Sequence, residues 1–169
     1  MKKVINIMAK TLNAAILLSM TATGAFYYQE VSAKEYVNAL SEDEKHCLQQ
    51  NIFFEARDQS TLGQAAVAWV TLNRVESSKY PNSICGVVWQ NKQFSWTHDG
   101  KKDYPSDNVL EQQAWEKAGH VKEAVLIDWA MGKKSPIGSA THYHADYVDP
   151  YWTDAYDRVA KIDSHIFYE

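Results

Sequence analysis

The sequence predicts an α+β domain: a mainly helical body followed by a small antiparallel β-sheet in the C-terminal third. Three observations carry this. Between residues 40 and 131, apolar residues recur at helical spacing behind capping residues. After residue 139 the pattern shortens to alternating, β-branched runs. Finally, 46% of the 169 residues are apolar, enough for the packed core of one domain and hardly of two.

The first 33 residues read as a targeting segment. Lys2, Lys3 and Lys10 form a basic start, residues 11–26 are apolar or small and uncharged, and Val31-Ser32-Ala33 fits the small-residue rule of a signal-peptidase site. The segment is short and Ser/Thr-rich for a stable membrane span. It reads as a signal peptide cleaved after Ala33 or as an uncleaved N-terminal anchor, leaving residues 34–169 as the exported domain, with transient membrane contact through this segment only. The chain carries a net charge of −4, and loss of the segment's three lysines makes it more acidic. An acidic domain without a basic run is a poor nucleic-acid binder and lacks a polybasic membrane patch. The two cysteines, Cys47 and Cys85, form an even set, which in an oxidising compartment suggests a disulfide.

After a short polar leader, Ser41 and Glu44 have capping-box spacing and Leu40 is placed for a hydrophobic staple, so a helix opens there. Cys47, Leu48, Asn51, Ile52 and Glu55 share one inward face of that helix, flanked by Phe53 and Phe54. Thr61 and Gln64 repeat the capping-box spacing for a second helix through Val75. Its alanines and Gly63 suit close approach by a neighbouring helix, and Tyr80-Pro81 ends the helical run. Residues 81–89 read as a loop with a short apolar turn. Residues 90–106 have the composition of a loop that walls a binding site. Ser106 or Asp107 caps a third helix with Val109, Leu110 and Ala114 on one face. Gly119-His120 is a point of interruption before a further helix over residues 121–131, with Gly132 as its C-cap. Residues 140–144, 158–162 and 165–168 then read as strands, the last two joined by a tight turn at Asp163-Ser164.

Three sets of residues could carry chemistry. Glu55 ends an apolar stripe, where desolvation disfavours its charge and weakens its acidity, as a general acid near neutral pH requires. The alternative is a structural carboxylate satisfied by Arg57, Arg74 or backbone N–H groups. Arg57, two residues on, points to the far side of the helix, whereas Asp58 lies within reach. His142 and His144 share one face of a strand, and His165 on a neighbouring strand would complete a zinc site. The plainer alternative is polar and aromatic lining of a groove. Cysteine or serine nucleophiles find no support: Cys47 sits on the helical stripe, and no nucleophile-elbow motif is present.

The segments Asn51-Ile52-Phe53-Phe54-Glu55-Ala56-Arg57, Gly63-Gln64-Ala65-Ala66-Val67-Ala68 and Leu72-Asn73-Arg74-Val75 occur in order along the chain. Tyr80-Pro81, Ile84-Cys85-Gly86-Val87-Val88 and Gln93-Phe94-Ser95 follow, then Ala140-Thr141-His142-Tyr143-His144, Pro150 with Trp152, and His165-Ile166-Phe167-Tyr168. Together they resemble the bacterial cell-wall hydrolases typified by the spore cortex-lytic enzyme, a family also found among phage lysis proteins. The resemblance implies a lysozyme-like fold, peptidoglycan glycan strands as substrate and cleavage of the β-1,4 bond between N-acetylmuramic acid (MurNAc) and N-acetylglucosamine (GlcNAc). It further implies a lytic transglycosylase product and Glu55 as catalytic acid and base. Gln93 and Ser95 would hydrogen-bond sugar acetamido groups. Thr141, His142 and Tyr143 would line the groove, and Tyr151 and Trp152 would stack on a sugar face. No cofactor is implied, and a monomer is expected.

Three rivals stay open at this stage: a hydrolytic muramidase, which needs a second carboxylate such as Asp58, Asp99, Asp146 or Asp149; a zinc amidase or peptidase using His142, His144 and His165; and a non-catalytic wall-binding module. These residues show no repeat of the wall-binding kind that the spore enzymes carry. That points to periplasmic wall turnover or phage lysis, as an endolysin, more than to spore cortex.

Overall fold

The computed structural model of the protein describes residues 22–169; the basic start and most of the apolar stretch of the candidate targeting segment lie outside them. Among these described residues, five α-helices precede a three-stranded antiparallel sheet. They are α1 (Ala22–Ala39), α2 (Glu42–Ala56), α3 (Thr61–Glu76), α4 (Ile84–Val88) and α5 (Val109–Ala130). The strands are β1 (His142–Ala145), β2 (Arg158–Ile162) and β3 (His165–Tyr168). The α+β expectation holds.

α2 is the central helix, packed against α3, α4 and α5. Leu48, Ile52, Phe53 and Ala56 are all fully buried. Helical spacing predicts one inward face for α2, but burial extends around most of its second half because three helices enclose it. Its start is as expected: Ser41 Oγ accepts from Glu44 N–H at 3.2 Å. The Glu44 carboxylate does not return to Ser41. It accepts the Ile84 N–H at 2.6 Å and so adds to the local N-cap of α4, Ser83. Residues 81–89 are therefore more than a loop. The disulfide between Cys47 and Cys85, 38 residues apart, ties α4 to α2 a second time.

α3 begins one residue earlier than its spacing suggested. Ser60, not Thr61, is the N-cap, and its hydroxyl accepts from Gly63 N–H at 3.1 Å. Ser60 wins because its own N–H is taken by the Asp163 carboxylate of the β2–β3 turn at 2.9 Å. Gly63 is needed there for a reason other than helix packing: a Cβ would collide with that same carboxylate. Asp163 itself adopts a left-handed φ of 49°, which Asp tolerates in a tight hairpin turn.

α5 is continuous through Gly119-His120. Gly119 lies against Gln49 of α2, where a Cβ would stand 3.0 Å from its amide nitrogen, and the 22-residue helix absorbs the roughly 1 kcal/mol that a mid-helix glycine costs. Its cap is Asn108, beyond the expected Ser106 or Asp107. Val109 and Leu110 are exposed, because the first turn overhangs the core that begins near Trp115 and Ala118. Gly132 follows the helix with a φ of +70°, as a C-cap glycine should.

The expected polar leader is instead the second half of α1, which docks on α5. Ala33 and Val37 are buried and the Tyr36 ring meets Trp129 edge-on at 5.9 Å. α1 runs unbroken through the candidate cleavage site. No helix among the described residues is long and apolar enough to cross a membrane.

The sheet order is β1-β3-β2. Tyr143 pairs with Phe167 and Ala145 with His165, so these side chains share one face; His142 and His144 take the other. Phe167, fully buried, turns the first face onto the helical body.

Candidate active site

A cleft of about 490 Å³ opens between the helical body and the sheet, lined by Glu55, Arg74, Lys92, Gln93, Phe94, Ser95, His98 and Tyr143. Four elements supply these groups, Arg74 coming from the last turn of α3. α2 delivers Glu55 at its C-terminal end, where the helix emerges from the core. β1 delivers Tyr143, whose hydroxyl donates to Glu55 Oε2 at 2.7 Å. The 90–106 loop forms the far wall. It is fastened to α2 by Trp96, stacked on Phe54 at 4.7 Å, and by the Gln50 amide, which donates to Asp103 O at 2.7 Å. Within the loop, Lys92 N–H donates to His98 Nε2 at 3.0 Å, which ties these two lining residues together.

Glu55 is half-buried. Burial pushes its pKa above the usual 4.5, against the opposing pull of the Tyr143 hydroxyl and the Arg74 charge. The Tyr143 phenol is held well above its ordinary value by burial and by Glu55, so it stays a donor. Arg57 points away, as expected, and pairs with Glu111 at 3.1 Å. Of the structural partners weighed for Glu55, only Arg74 shares the cleft.

Glu55 is the single carboxyl among the residues lining the cleft. Asp58 is exposed and accepts from the Gln59 amide. Asp99 faces Lys101 at 3.4 Å, Asp146 faces Lys161 at 2.8 Å, and Asp149 is exposed.

Glu55, Gln93, Ser95 and Tyr143 are thus brought together. Thr141 reaches the site through its backbone: its carbonyl accepts from Arg74 Nε at 2.7 Å, while its hydroxyl meets His142 Nδ1 at 3.0 Å. His142 lies on the outer face of the sheet, where its ring packs on Tyr156 at 4.1 Å and Trp152 at 5.6 Å. Trp152 also packs on Tyr168, and Tyr151 is almost wholly exposed beside it. These two aromatics sit outside the cleft. Arg74, Lys92 and His98 were not singled out as site residues from sequence. Arg74 stands in the Leu72-Asn73-Arg74-Val75 segment, but nothing in helical spacing says that the residue lies at a cleft.

The zinc alternative fails on strand register. His142 and His144 share the outer face, but His165 pairs opposite Ala145 and therefore lies on the inner face, its ring 5.2 Å from Tyr143. Among the described residues no group of three His, Cys, Asp or Glu side chains is arranged to hold a metal ion. Cys47 and Cys85 are both in the disulfide, which removes a cysteine nucleophile.

Residues 58–168 match the family model described as Cell Wall Hydrolase, a match that starts three residues after Glu55. The chain is 31% identical over 131 residues to the spore cortex-lytic enzyme of Bacillus cereus, covering 77% of this chain and 46% of that protein. It is 30% identical over 142 residues to the spore cortex-lytic enzyme of Bacillus subtilis, covering 83% of this chain and 42% of that protein. The chain thus spans about half the length of the curated relatives it matches. Among solved structures it resembles the catalytic domain of the germination-specific lytic transglycosylase SleB from Bacillus anthracis. That likeness has a TM-score of 0.58 and 28% identity, over 78% of this chain and 98% of that one.

Proposed function

The chain belongs to the cell wall hydrolase family, and on that premise we propose that it is an exported peptidoglycan lytic transglycosylase with Glu55 as its acid and base. The observation that carries this reading is a single half-buried carboxyl, its acidity weakened by burial, in a polar cleft. The names of the relatives, spore cortex-lytic enzymes and a lytic transglycosylase catalytic domain, support the substrate and reaction class.

In the proposed reaction the Glu55 O–H gives its proton to the oxygen linking MurNAc C1 to GlcNAc C4. The C1–O bond breaks and the GlcNAc 4-hydroxyl leaves with that proton. The muramic N-acetyl group stabilises the cationic centre at C1. The Glu55 carboxylate then takes the proton of the muramic 6-hydroxyl as its oxygen bonds to C1. This closes a 1,6-anhydro ring and restores the acid, with no water consumed. A retaining or inverting hydrolase would call on a second carboxyl about 5 Å or about 6.5–9.5 Å from the first. The cleft lining holds no such group, which favours the sugar's own hydroxyl as nucleophile.

Gln93 and Ser95 are the proposed acetamido contacts, with Tyr143 orienting Glu55. Tyr151 and Trp152, with His142, would meet the strand only beyond the cleft, along the outer face of the sheet. Residues 1–33 would direct export, as a cleaved signal or an anchor. The test is lysis of purified cell walls by wild type and Glu55→Gln. A general acid is worth about 10²–10⁴-fold, so the variant should lose activity on that scale. Full lysis by the variant would sink the assignment.

A further inference from the structure

Arg74 is almost wholly buried, at 5% exposure, and no ion pair among the described residues includes it. It is held rigidly nonetheless. Nε donates to Thr141 O at 2.7 Å, and the guanidinium carbon lies 5.4 Å from the Tyr80 ring centre and 5.3 Å from that of Phe94. Nη1 is buried with no hydrogen-bond partner. A buried cation without an anion is costly, and cation–π contacts offset that cost only in part. The one carboxyl that shares its cleft is Glu55. In the acid form Glu55 offers Arg74 no charge, but the first chemical step turns it into a carboxylate.

We propose that Arg74 is a positioning residue that acts through Glu55, its fixed guanidinium stabilising the carboxylate that appears when Glu55 gives up its proton. This rests on the reading of Glu55 as the acid. The charge is set in advance in a half-closed cleft, where electrostatic stabilisation needs no reorganisation during reaction. It opposes burial, which favours the protonated acid, so the two together let one carboxyl serve first as acid and then as base.

The groups facing Glu55 are few. Tyr143 from β1 donates to Oε2, Arg74 comes from α3, and Lys92 and His98 come from the loop across the cleft. His165 stands behind Tyr143, in ring contact with it.

The test is the pH profile of glycan-strand cleavage by wild type, Arg74→Gln and Arg74→Lys, with soluble released strands as substrate. Losing the charge should lower kcat about 100-fold, as loss of one preorganised charge-stabilising donor does, with KM nearly unchanged. It should also move the basic limb of kcat to higher pH, because the Glu55 carboxylate loses its stabilising cation. Arg74→Lys should recover most of the rate and return the limb. His98→Gln should leave the limb in place. Should Arg74→Gln not fold, citrulline introduced at position 74 by semisynthesis removes the charge and keeps the N–H to Thr141 and the planar ring contacts. A limb unmoved in the neutral variant, whether or not activity falls, would overturn the proposal and leave Arg74 a structural role. Full activity of Glu55→Gln in the same assay would instead overturn the reading beneath it.

Discussion

Glu55 illustrates how a residue suited to chemistry works against stability. Its folded pKa is raised, so the native state holds a proton that the unfolded chain releases as pH rises above the ordinary 4.5. Its contribution to stability therefore falls with rising pH. Glu55→Gln should melt higher than wild type at pH 7–8 and nearly equal to it near pH 4; calorimetry across that range checks both ends. The Tyr143 hydrogen bond favours the carboxylate, so Tyr143→Phe should shift the basic limb of the activity profile to higher pH. His165 works in the opposite direction. Burial lowers its pKa below the ordinary 6.5 despite Asp58, Asp163 and Asp146 nearby, and its Nδ1 is buried without a partner. The unfolded chain takes up the proton first, so stability should fall as pH drops through about 6.5. His165→Gln should flatten that fall in a urea titration followed at several pH values.

At the scale of elements, the links between segments decide how the cleft is held. The bond from Cys47 to Cys85 closes a 38-residue loop between α2 and α4. By the chain-entropy model it is worth about 3–4 kcal/mol, so Cys47→Ala with Cys85→Ala should melt about 10 °C lower. The Ser60 cap of α3 should cost about 1 kcal/mol on Ser60→Ala, measured by chemical denaturation. Elements that signal locally were legible from sequence: Ser41 and Glu44 opened α2, Asp163-Ser164 turned the hairpin, and alternation marked the strands. The start of α3 was misread because Asp163, more than a hundred residues downstream, satisfies Ser60. In the 81–89 segment Ser83 is a local cap, its hydroxyl accepting from Gly86 N–H at 3.1 Å, but the Glu44 carboxylate that adds to it comes from another helix. Such contacts leave no trace in local spacing.

At the scale of the molecule, the cleft exists because α2 runs through the core and ends at its surface, while the sheet folds back to place Tyr143 against that end. Sequence pattern could aim Glu55 inward, and the resemblance to cell-wall hydrolases gave it a role. Neither could bring Arg74, Lys92 and His98 to the same cleft or separate His165 from His142 and His144, because both depend on how helix, loop and strand register meet. In the proposed reaction one carboxyl completes the cycle without water. This is tested most directly by mass spectrometry of the products released from purified peptidoglycan by wild type, with Glu55→Gln run beside it. Wild type should release 1,6-anhydromuropeptides and the variant none. Reducing muramic ends, released stem peptides, or undiminished products from Glu55→Gln would contradict that reaction.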